Sequence, residues 1–258
     1  MKIVFFGASE LGYNCCEAII KAGFEVVGIF TIPQEFKISY SPDKPVKNYL
    51  HKDFYTLGKE YNIPVFQVNQ NIKIFEQTFI DLKPDFLLAI GWYYMIPTSM
   101  LQKVPKGAAG IHASLLPKYR GNAPLVWAMI NGEKETGISF FYFDKGVDEG
   151  DIIAQEKFDI SETDTIKEVL VKTQSASIEV LLKNLPLIAN GTNSRIPQDH
   201  TQATLFPKRS PEDGLIDWNW DAKRIKNFIK AQTKPYPGAF TVIHGKKVII
   251  WDADILDV

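Results

Sequence analysis

The chain has 258 residues, 45% of them hydrophobic, which is enough to form a full core in one large domain with a small appendage. The formal net charge of −1 gives no general attraction to nucleic acid. The two cysteines, Cys15 and Cys16, are adjacent, so neither a disulfide framework nor a zinc site is indicated. The amino terminus lacks a signal-peptide pattern and no apolar run is long enough to span a bilayer, so we expect a cytoplasmic protein without a membrane partner.

The first ninety residues alternate between strand and helix patterns. Strands are predicted at residues 2–6, 25–31, 64–66 and 85–90, and helices at residues 10–22, 53–61 and 71–82. This alternation predicts an α/β fold with a doubly wound, mainly parallel sheet that is covered by helices on both faces. Residues 32–47 contain three prolines, which favours an irregular loop beside the site.

The second half of the chain predicts a long helix followed by a small terminal unit. Thr163-Asp164-Thr165 is a helix start signal, and apolar periodicity continues from there to about residue 190. A polar segment at residues 192–204 leads to a helix at residues 222–231 and two strands, 239–243 and 247–251, joined by His244-Gly245. We therefore expect a large domain over residues 1–195 and a small C-terminal subdomain with a hairpin over residues 206–258.

His112 follows a short apolar strand predicted at residues 107–111, at the strand end where open α/β sheets bind their ligands. An acidic, glycine-flanked loop at residues 145–151 comes some thirty residues later. A carboxylate on such a loop can hold an imidazole in one tautomer, as general acid–base chemistry requires. Spacing alone leaves four candidates for that carboxylate, which are Asp144, Asp148, Glu149 and Asp151. The remaining histidines, His51, His200 and His244, lack metal-ligand spacing and are expected at the surface, so no metal site is predicted.

Residues 110–121 and 137–151 resemble the 10-formyltetrahydrofolate-dependent formyltransferases, and residues 210–218 and 234–240 extend the likeness over nearly the whole chain. In that family, Asn-x-His before Ser-Leu-Leu-Pro and the Asp of Gly-x-Asp-x-Gly form the active site. The resemblance implies a Rossmann-like formyltransferase fold and formyl transfer from 10-formyltetrahydrofolate to a primary amine. It assigns the acid–base role to His112 and selects Asp148 as its partner.

Gly110 stands where the family has its asparagine. That side chain helps to stabilise the oxyanion, and removing one such donor costs about 10²–10³ in rate. Three explanations are open: His112, a backbone N–H or a water replaces the donor; the substrate does not need it; or the protein binds folate or a nucleotide without catalysis. We favour the first. We also expect an extended backbone at Gly110, with room for an asparagine.

The loop at residues 90–97 resembles the family's folate-binding loop, although a core-edge aromatic cluster would contain the same residues. The resemblance implies folate contacts from residues with apolar walls and free main-chain groups: Leu88, Ile90, Gly91, Trp92, Tyr93 and Val147. Four further residues near the predicted strand ends are candidates for contacting the acceptor: Gly7, Ser9, Ser114 and Arg120. Arg120 is equally compatible with a structural role.

The family includes enzymes that formylate methionyl-tRNA, glycinamide ribonucleotide or nucleotide-linked amino sugars. The tRNA enzymes carry a larger C-terminal barrel and a basic inserted loop. Here about fifty residues follow Phe206, and residues 32–47 carry charges of both signs. We therefore expect a sugar nucleotide as the acceptor and disfavour tRNA, while peptidyl- or aminoacyl-carrier substrates and a homodimer are left open.

Overall fold

The computed structural model describes residues 1–38, 41–144 and 146–256, with the backbone alone for residues 41–44. Ser39, Tyr40 and Lys145, which belong to two loops discussed above, fall outside the described residues. The strands are β1 (Lys2–Gly7), β2 (Glu25–Thr31), β3 (Glu35–Ile38), β4 (Ser41–Lys47), β5 (Val65–Gln67), β6 (Phe86–Ile90), β7 (Ala108–His112), β8 (Arg120–Gly121), β9 (Glu135–Tyr142), β10 (Ile152–Asp159), β11 (Leu205–Phe206), β12 (Ala239–Ile243) and β13 (Lys246–Ile250). The α-helices are α1 (Glu10–Lys21), α2 (Phe54–Tyr61), α3 (Glu76–Asp81), α4 (Thr98–Leu101), α5 (Pro124–Ile130), α6 (Ile166–Asn190) and α7 (Ala222–Gln232).

Seven strands form one sheet in the order β10-β9-β7-β6-β1-β2-β5. Strands β5, β2, β1, β6 and β7 are parallel, whereas β9 runs antiparallel to both β7 and β10. The chain builds outward from β1 to β2 and β5, then returns to the other side of β1 to add β6 and β7. This reversal creates the crevice at the strand carboxyl ends where α/β sheets bind ligands. The predicted α/β fold with a mainly parallel sheet is confirmed.

Apolar side chains cover both faces of the sheet because successive residues of a strand point to opposite sides. Ile3 and Phe5 of β1 pack against α1 and α6 on one face. Val4 and Phe6 pack against α3 and α4 on the other. All four side chains are fully buried, so β1 forms the centre of the core.

The C-terminal part ends in the predicted antiparallel hairpin, β12 and β13, whose register runs from Ala239 opposite Ile250 to Ile243 opposite Lys246. Helix α7 packs on α5 through a third apolar cluster that includes Leu125, Met129, Phe228 and Ile229. The C-terminal part therefore shares a core with the large domain, and the boundary near residues 195–206 stays a prediction.

Residues 32–47 differ from the expectation of an irregular loop, because β3 and β4 pair as a hairpin. Its Phe36 packs on Tyr93 and Tyr94, with ring centroids 5.0 and 5.7 Å apart. Prolines are compatible with β4 because this strand pairs on one side only within a two-stranded sheet, so some of its amides need no partner. The hairpin thus lies against the loop that follows β6.

Two further segments differ from the structure that the sequence predicted for them, or had no prediction. Residues 71–82 form a 3₁₀ turn, Ile72–Phe75, before α3, rather than one continuous helix. The antiparallel strand β10 had no prediction, because it is an edge strand whose sequence, IIAQEKFD, alternates weakly between apolar and polar residues.

Within the described part of the chain, no helix is long and apolar enough to cross a membrane.

Helix α6 begins with a reciprocal cap. Thr165 Oγ1 accepts a hydrogen bond from Lys167 N (3.3 Å), and the Glu168 carboxylate accepts one from Thr165 N (2.9 Å) and one from Thr165 Oγ1 (2.5 Å). These bonds from Thr165 hold the pKa of Glu168 below its ordinary value of 4.5. The cap satisfies amides that a helix start otherwise leaves without partners.

Thr165→Ala should lower the free energy of unfolding by about 1 kcal/mol, and the melting temperature by about 2–4 °C, because it removes this cap. The stabilising contribution of Glu168 is complete above its unfolded pKa and is lost as pH falls through the lowered folded pKa. The difference in stability between wild type and variant should therefore narrow as pH falls from above 4.5, the ordinary pKa of Glu168, through the lowered folded pKa. Thermal melts over this range, with the exposed Thr163→Ala as control, check the prediction; a difference that does not change with pH contradicts it.

Candidate active site

His112 is the last residue of β7, and its Cα lies opposite that of Ser139 on β9. Gly110 and His112 point to the same face of the sheet, since they are two residues apart on one strand. Because β9 is antiparallel to β7, the chain leaves β9 near the start of β7, and the following loop folds back to His112. Asp148 lies on this loop with φ of +56°, a left-handed conformation that is uncommon outside glycine.

The loop brings the Asp148 carboxylate to the His112 imidazole, with Oδ2 lying 3.6 Å from Nδ1. The same oxygen accepts a hydrogen bond from Gly121 N at 2.9 Å. The side chain of His112 is nine-tenths buried and that of Asp148 about four-fifths buried. The two residues selected at the sequence level therefore meet in one partly enclosed site.

The hydrogen-bond partner of the other imidazole nitrogen, Nε2, fixes which tautomer His112 adopts. His112 Nε2 lies 2.7 Å from the carbonyl oxygen of Tyr119, and a carbonyl can only accept a hydrogen bond. Nε2 therefore carries the hydrogen in the neutral ring, and Nδ1 is the nitrogen with a free lone pair. The proton-accepting nitrogen is thus the one that faces Asp148.

Hydrogen bonds hold the turn after His112. Ser139 Oγ donates to Ser114 O (2.7 Å) and accepts from Leu116 N (2.9 Å) and from Gln155 Nε2 (2.7 Å). Ser114 Oγ donates to Lys118 O at 2.7 Å, so its hydroxyl already has a partner inside the turn. This network fixes the path of the chain from His112 to the Tyr119 carbonyl.

The loop after β6 lies against the first turn of the chain. Gly91 has φ of +65°, and a side chain there would collide with Ser9, whose Oγ caps α1 by accepting from Gly12 N at 3.2 Å. Ala8 N donates to Gly91 O at 3.2 Å. Gly7 ends β1 opposite Ile90. The predicted contacts Gly7, Ser9 and Gly91 therefore lie together at the crevice.

The remaining residues predicted for the folate loop divide by burial. Leu88 and Ile90 are buried in the core beneath α1, and Leu88 also lies within β6 between β1 and β7, so neither side chain is exposed to a ligand. Trp92 packs edge-on against Phe6, and its buried Nε1 has no hydrogen-bond partner within the described chain. Val147 is 60% exposed on the Asp148 loop.

The comparisons with known proteins agree with this geometry. A family profile described as formyl transferase matches residues 1–185, and one for the formyl transferase C-terminal domain matches residues 208–258. Methionyl-tRNA formyltransferase from Desulforamulus reducens is 38% identical over 260 residues, covering 99% of this chain and 78% of that protein. The chain belongs to the formyltransferase family. It is a formyl-transfer enzyme.

Two further relatives of this formyltransferase carry different names. The bifunctional polymyxin resistance protein ArnA of Wigglesworthia glossinidia brevipalpis is 39% identical over 261 residues, covering 99% of this chain and 38% of that protein. The crystal structure of WlaRD, a sugar 3N-formyl transferase in the presence of dTDP and 5-N-formyl-THF, matches with a TM-score of 0.71 and 20% identity, over 96% of this chain and 85% of that one. The last likeness shows the shared fold.

Gly110 of this formyltransferase lies within β7, opposite Ala89 and Phe141, so the expected extended backbone is confirmed. The expectation that an asparagine would fit is wrong. A Cβ at this position would lie 2.6 Å from Ala89 O and 2.7 Å from Cζ of Phe143. The Phe143 ring fills the space that a side chain would need.

Arg120 is buried, and its guanidinium already has partners within the chain. It donates to Gln198 Oε1 from Nη2 (2.6 Å) and lies 3.2 Å from His200 Nδ1 and 3.5 Å from Glu149 Oε1. Any contact of Arg120 with the acceptor would compete with these interactions. His200 is exposed as expected, but the sequence did not indicate this contact.

Four residues at the site carry no recognisable signal in the sequence, namely Phe143, Ser139, Gln155 and Gln198. None belongs to a spacing pattern that marks a site, since each acts through a partner distant in sequence. Two cavities, of about 60 Å³ at the carboxyl end of α5 and about 280 Å³ beside α7, are lined by none of the predicted site residues. Across the described ranges, no cluster of three His, Cys, Asp or Glu side chains could hold a metal ion.

Gly110→Ala should lower the free energy of unfolding by about 1–3 kcal/mol, because the added methyl overpacks against Ala89 O and Phe143. Adding Phe143→Leu should recover only part of this loss, since the Ala89 carbonyl belongs to the backbone and cannot move away as a ring can. Urea unfolding of the single and double variants measures both effects, with Phe143→Leu alone as control. A Gly110→Ala protein as stable as wild type would contradict the overpacking.

Proposed function

We propose that this chain transfers the formyl group of 10-formyltetrahydrofolate to the primary amine of a nucleotide-linked amino sugar. The observation that carries the proposal is the His112–Asp148 pair. The unprotonated Nδ1 of His112 can accept a proton, as a general base requires, and a carboxylate 3.6 Å away in the partly buried site stabilises the positive charge that results.

The donor site is proposed at the loop after β6. A pterin is flat and rich in amide-like groups, so its pocket needs apolar walls and a few placed polar groups. Among the described residues the buried Trp92 Nε1 is a donor without a partner, and the half-buried Gly91 and Tyr93 beside it have a non-helical backbone. WlaRD, which shares this fold, was crystallised in the presence of 5-N-formyl-THF. Ile90, at the end of β6, would contribute main-chain groups and Val147 an exposed apolar side chain, while Leu88 would support the pocket wall from within the core.

When bound, 10-formyltetrahydrofolate supplies a formyl carbon in an amide-like bond. His112 Nδ1 takes a proton from the attacking amine, and the ring then carries a hydrogen on each nitrogen. Asp148 stabilises that imidazolium from the Nδ1 side, while the Tyr119 carbonyl keeps the ring orientation fixed. His112 can return the proton to the leaving nitrogen, so one residue serves as base and then as acid.

Gly110 provides no side-chain amide, and Phe143 leaves no room for one. We propose that the carbonyl-polarising role belongs to the protonated His112 Nδ1–H, to a backbone N–H or to a water. Each is a donor that requires no side chain at position 110. A non-catalytic binder would have no need of an acid–base pair held by this many hydrogen bonds.

The choice of a sugar nucleotide as acceptor has three supports. WlaRD, described as a sugar 3N-formyl transferase in the presence of dTDP, has the same fold. The net charge of −1 gives no general attraction to a nucleic acid. The hairpin of β3 and β4 begins with Glu35 and ends with Lys47, so it is not a uniformly basic arm.

Methionyl-tRNA is the second candidate acceptor, favoured by one specific observation. The D. reducens methionyl-tRNA formyltransferase is 38% identical to 99% of this chain, as similar in sequence as ArnA. The same His112–Asp148 chemistry would serve either amine. The two candidate acceptors, methionyl-tRNA and a sugar nucleotide, differ only in the part of the molecule beyond the amine that reacts.

Acceptor choice is tested by incubating the protein with 10-formyltetrahydrofolate and a panel of amino-sugar nucleotides, methionyl-tRNA and aminoacyl-carrier substrates. Tetrahydrofolate release and the mass of the formylated product are the measurements. We expect turnover with at least one sugar nucleotide and none with methionyl-tRNA. Formylation of methionyl-tRNA alone would reject the sugar proposal and leave the formyl transfer itself intact.

His112→Ala and Asp148→Asn should each reduce kcat by about 10²–10⁴, the usual contribution of a positioned acid–base group. Binding of the folate donor should be retained, because neither side chain belongs to the loop after β6. The exposed hairpin residue His244 provides the matched control, and His244→Ala should leave turnover unchanged. Turnover of the His112→Ala protein at the wild-type rate would exclude His112 from the chemistry.

A further inference from the structure

Gln198 lies in the irregular segment between α6 and β11, yet it is 94% buried, its relative exposure being 6%. Its Nε2 donates to two carbonyl oxygens of the acidic loop, Asp148 O and Gly150 O, each at 2.8 Å. Its Oε1 accepts from Arg120 Nη2 at 2.6 Å and from Arg120 Nε at 3.3 Å. The Gln198 side chain therefore connects Asp148 O, Gly150 O and the Arg120 guanidinium, all of which lie beside the His112–Asp148 pair.

The chemistry of the primary amide suits this position. An amide offers two N–H donors on one atom and an acceptor on another, and here each group is used. A carboxylate would keep the acceptor for Arg120 but would face the two carbonyls with a second acceptor. An apolar side chain of the same length would leave both sides without partners.

Besides Gln198, the loop near Asp148 is held by the Gly121 N–H on the Asp148 carboxylate and by the 3.5 Å contact between Glu149 and Arg120. Val147 and Glu149, on either side of Asp148, are both exposed. Asp148 itself keeps a left-handed backbone, which costs a non-glycine residue free energy unless its surroundings hold it. The two bonds from Gln198 hold two carbonyls of this turn, Asp148 O and Gly150 O.

The same glutamine also fixes the other side of the Asp148 carboxylate. Arg120 precedes Gly121, whose N–H donates to Asp148 Oδ2. Gln198 therefore holds the backbone of Asp148 with one end and, through Arg120, the strand that holds its carboxylate with the other. Gln198, Arg120 and Gly121 thus connect the backbone of Asp148 to its own Oδ2, the oxygen that faces His112.

We propose that Gln198 is a positioning residue, which sets the Asp148 carboxylate against His112 Nδ1. It touches neither reacting group. Its effect on rate rests on the proposed function, whereas its effect on the carboxylate does not.

The first test reads the carboxylate position without any substrate. The Gly121 amide proton reports on its hydrogen bond to Asp148, through its NMR chemical shift and its hydrogen-exchange rate. Two variants are used, Gln198→Glu, which keeps the acceptor for Arg120, and Gln198→Met, which keeps only the length. Asp148→Ala gives the signal of the lost bond, and the exposed Gln202→Ala is the matched control on the same segment.

Both Gln198 variants should accelerate Gly121 exchange at least about tenfold relative to amides of β1, as expected when a hydrogen bond to a charged group weakens. The chemical shift should move towards that of Asp148→Ala, and Gln202→Ala should match wild type. If one of the two Gln198 variants misfolds, the other, whose side chain packs differently, still tests the proposal. A Gly121 amide that behaves as in wild type in a folded Gln198 variant overturns the proposal.

The second test measures formyl transfer in the same proteins. Misplacing a catalytic group by about 1 Å costs about 10²-fold, so kcat should fall by that order while the KM for the folate donor changes less than about threefold. An unchanged kcat together with a released Gly121 amide would show that the position of the carboxylate does not matter, and would also overturn the proposal. If wild type transfers no formyl group, the proposed function fails, and the exchange measurement still decides the positioning role.

Discussion

The hydrogen bond from His112 Nε2 to the Tyr119 carbonyl decides which nitrogen of the ring is basic, and the chemistry of the site depends on it. The carbonyl is itself held in place, because Tyr119 N donates to Thr204 Oγ1 at 2.8 Å and the Tyr119 ring stacks on Phe206 with centroids 4.7 Å apart. Burial and a hydrogen bond to Glu133 raise the pKa of Tyr119 to about 12, so this tyrosine stays neutral and keeps its contacts over the ordinary pH range. A histidine fixed at one nitrogen leaves the other free for proton transfer.

Some of this architecture could be predicted from the sequence because it has a local cause. Apolar runs bounded by turn residues located β1, β2 and β6, and periodicity located α1, α6 and α7. His112 could be recognised because its neighbours along the chain match a motif, whereas spacing left four candidate carboxylates and only the family resemblance selected Asp148. Such signals need only a window of about ten to twenty residues.

The rest depends on contacts between distant segments. Nothing local distinguishes an edge strand such as β10, or a hairpin such as that of β3 and β4, from a polar loop. The space at Gly110 is decided by Phe143, a residue on another strand end, and by the carbonyl of Ala89. Gln198 lies in a segment without periodicity, and its importance arises only when Arg120 and Asp148 are both placed beside it. Glycine in place of asparagine thus has a tertiary reason, since the aromatic ring and the missing side chain occupy one volume.

The apolar cluster between α5 and α7 has a consequence for how the molecule responds to force and heat. Helix α5 starts a few residues after the turn that carries the Tyr119 carbonyl, and its buried face is covered by α7 from the C-terminal part. The two regions matched by separate family profiles therefore share one apolar cluster at this seam. A chain cut between them would lose both the terminal hairpin and the packing of α7 that supports α5 and the catalytic turn. The hydrogen bond that fixes the tautomer of His112 would then be lost before the strands of the central sheet.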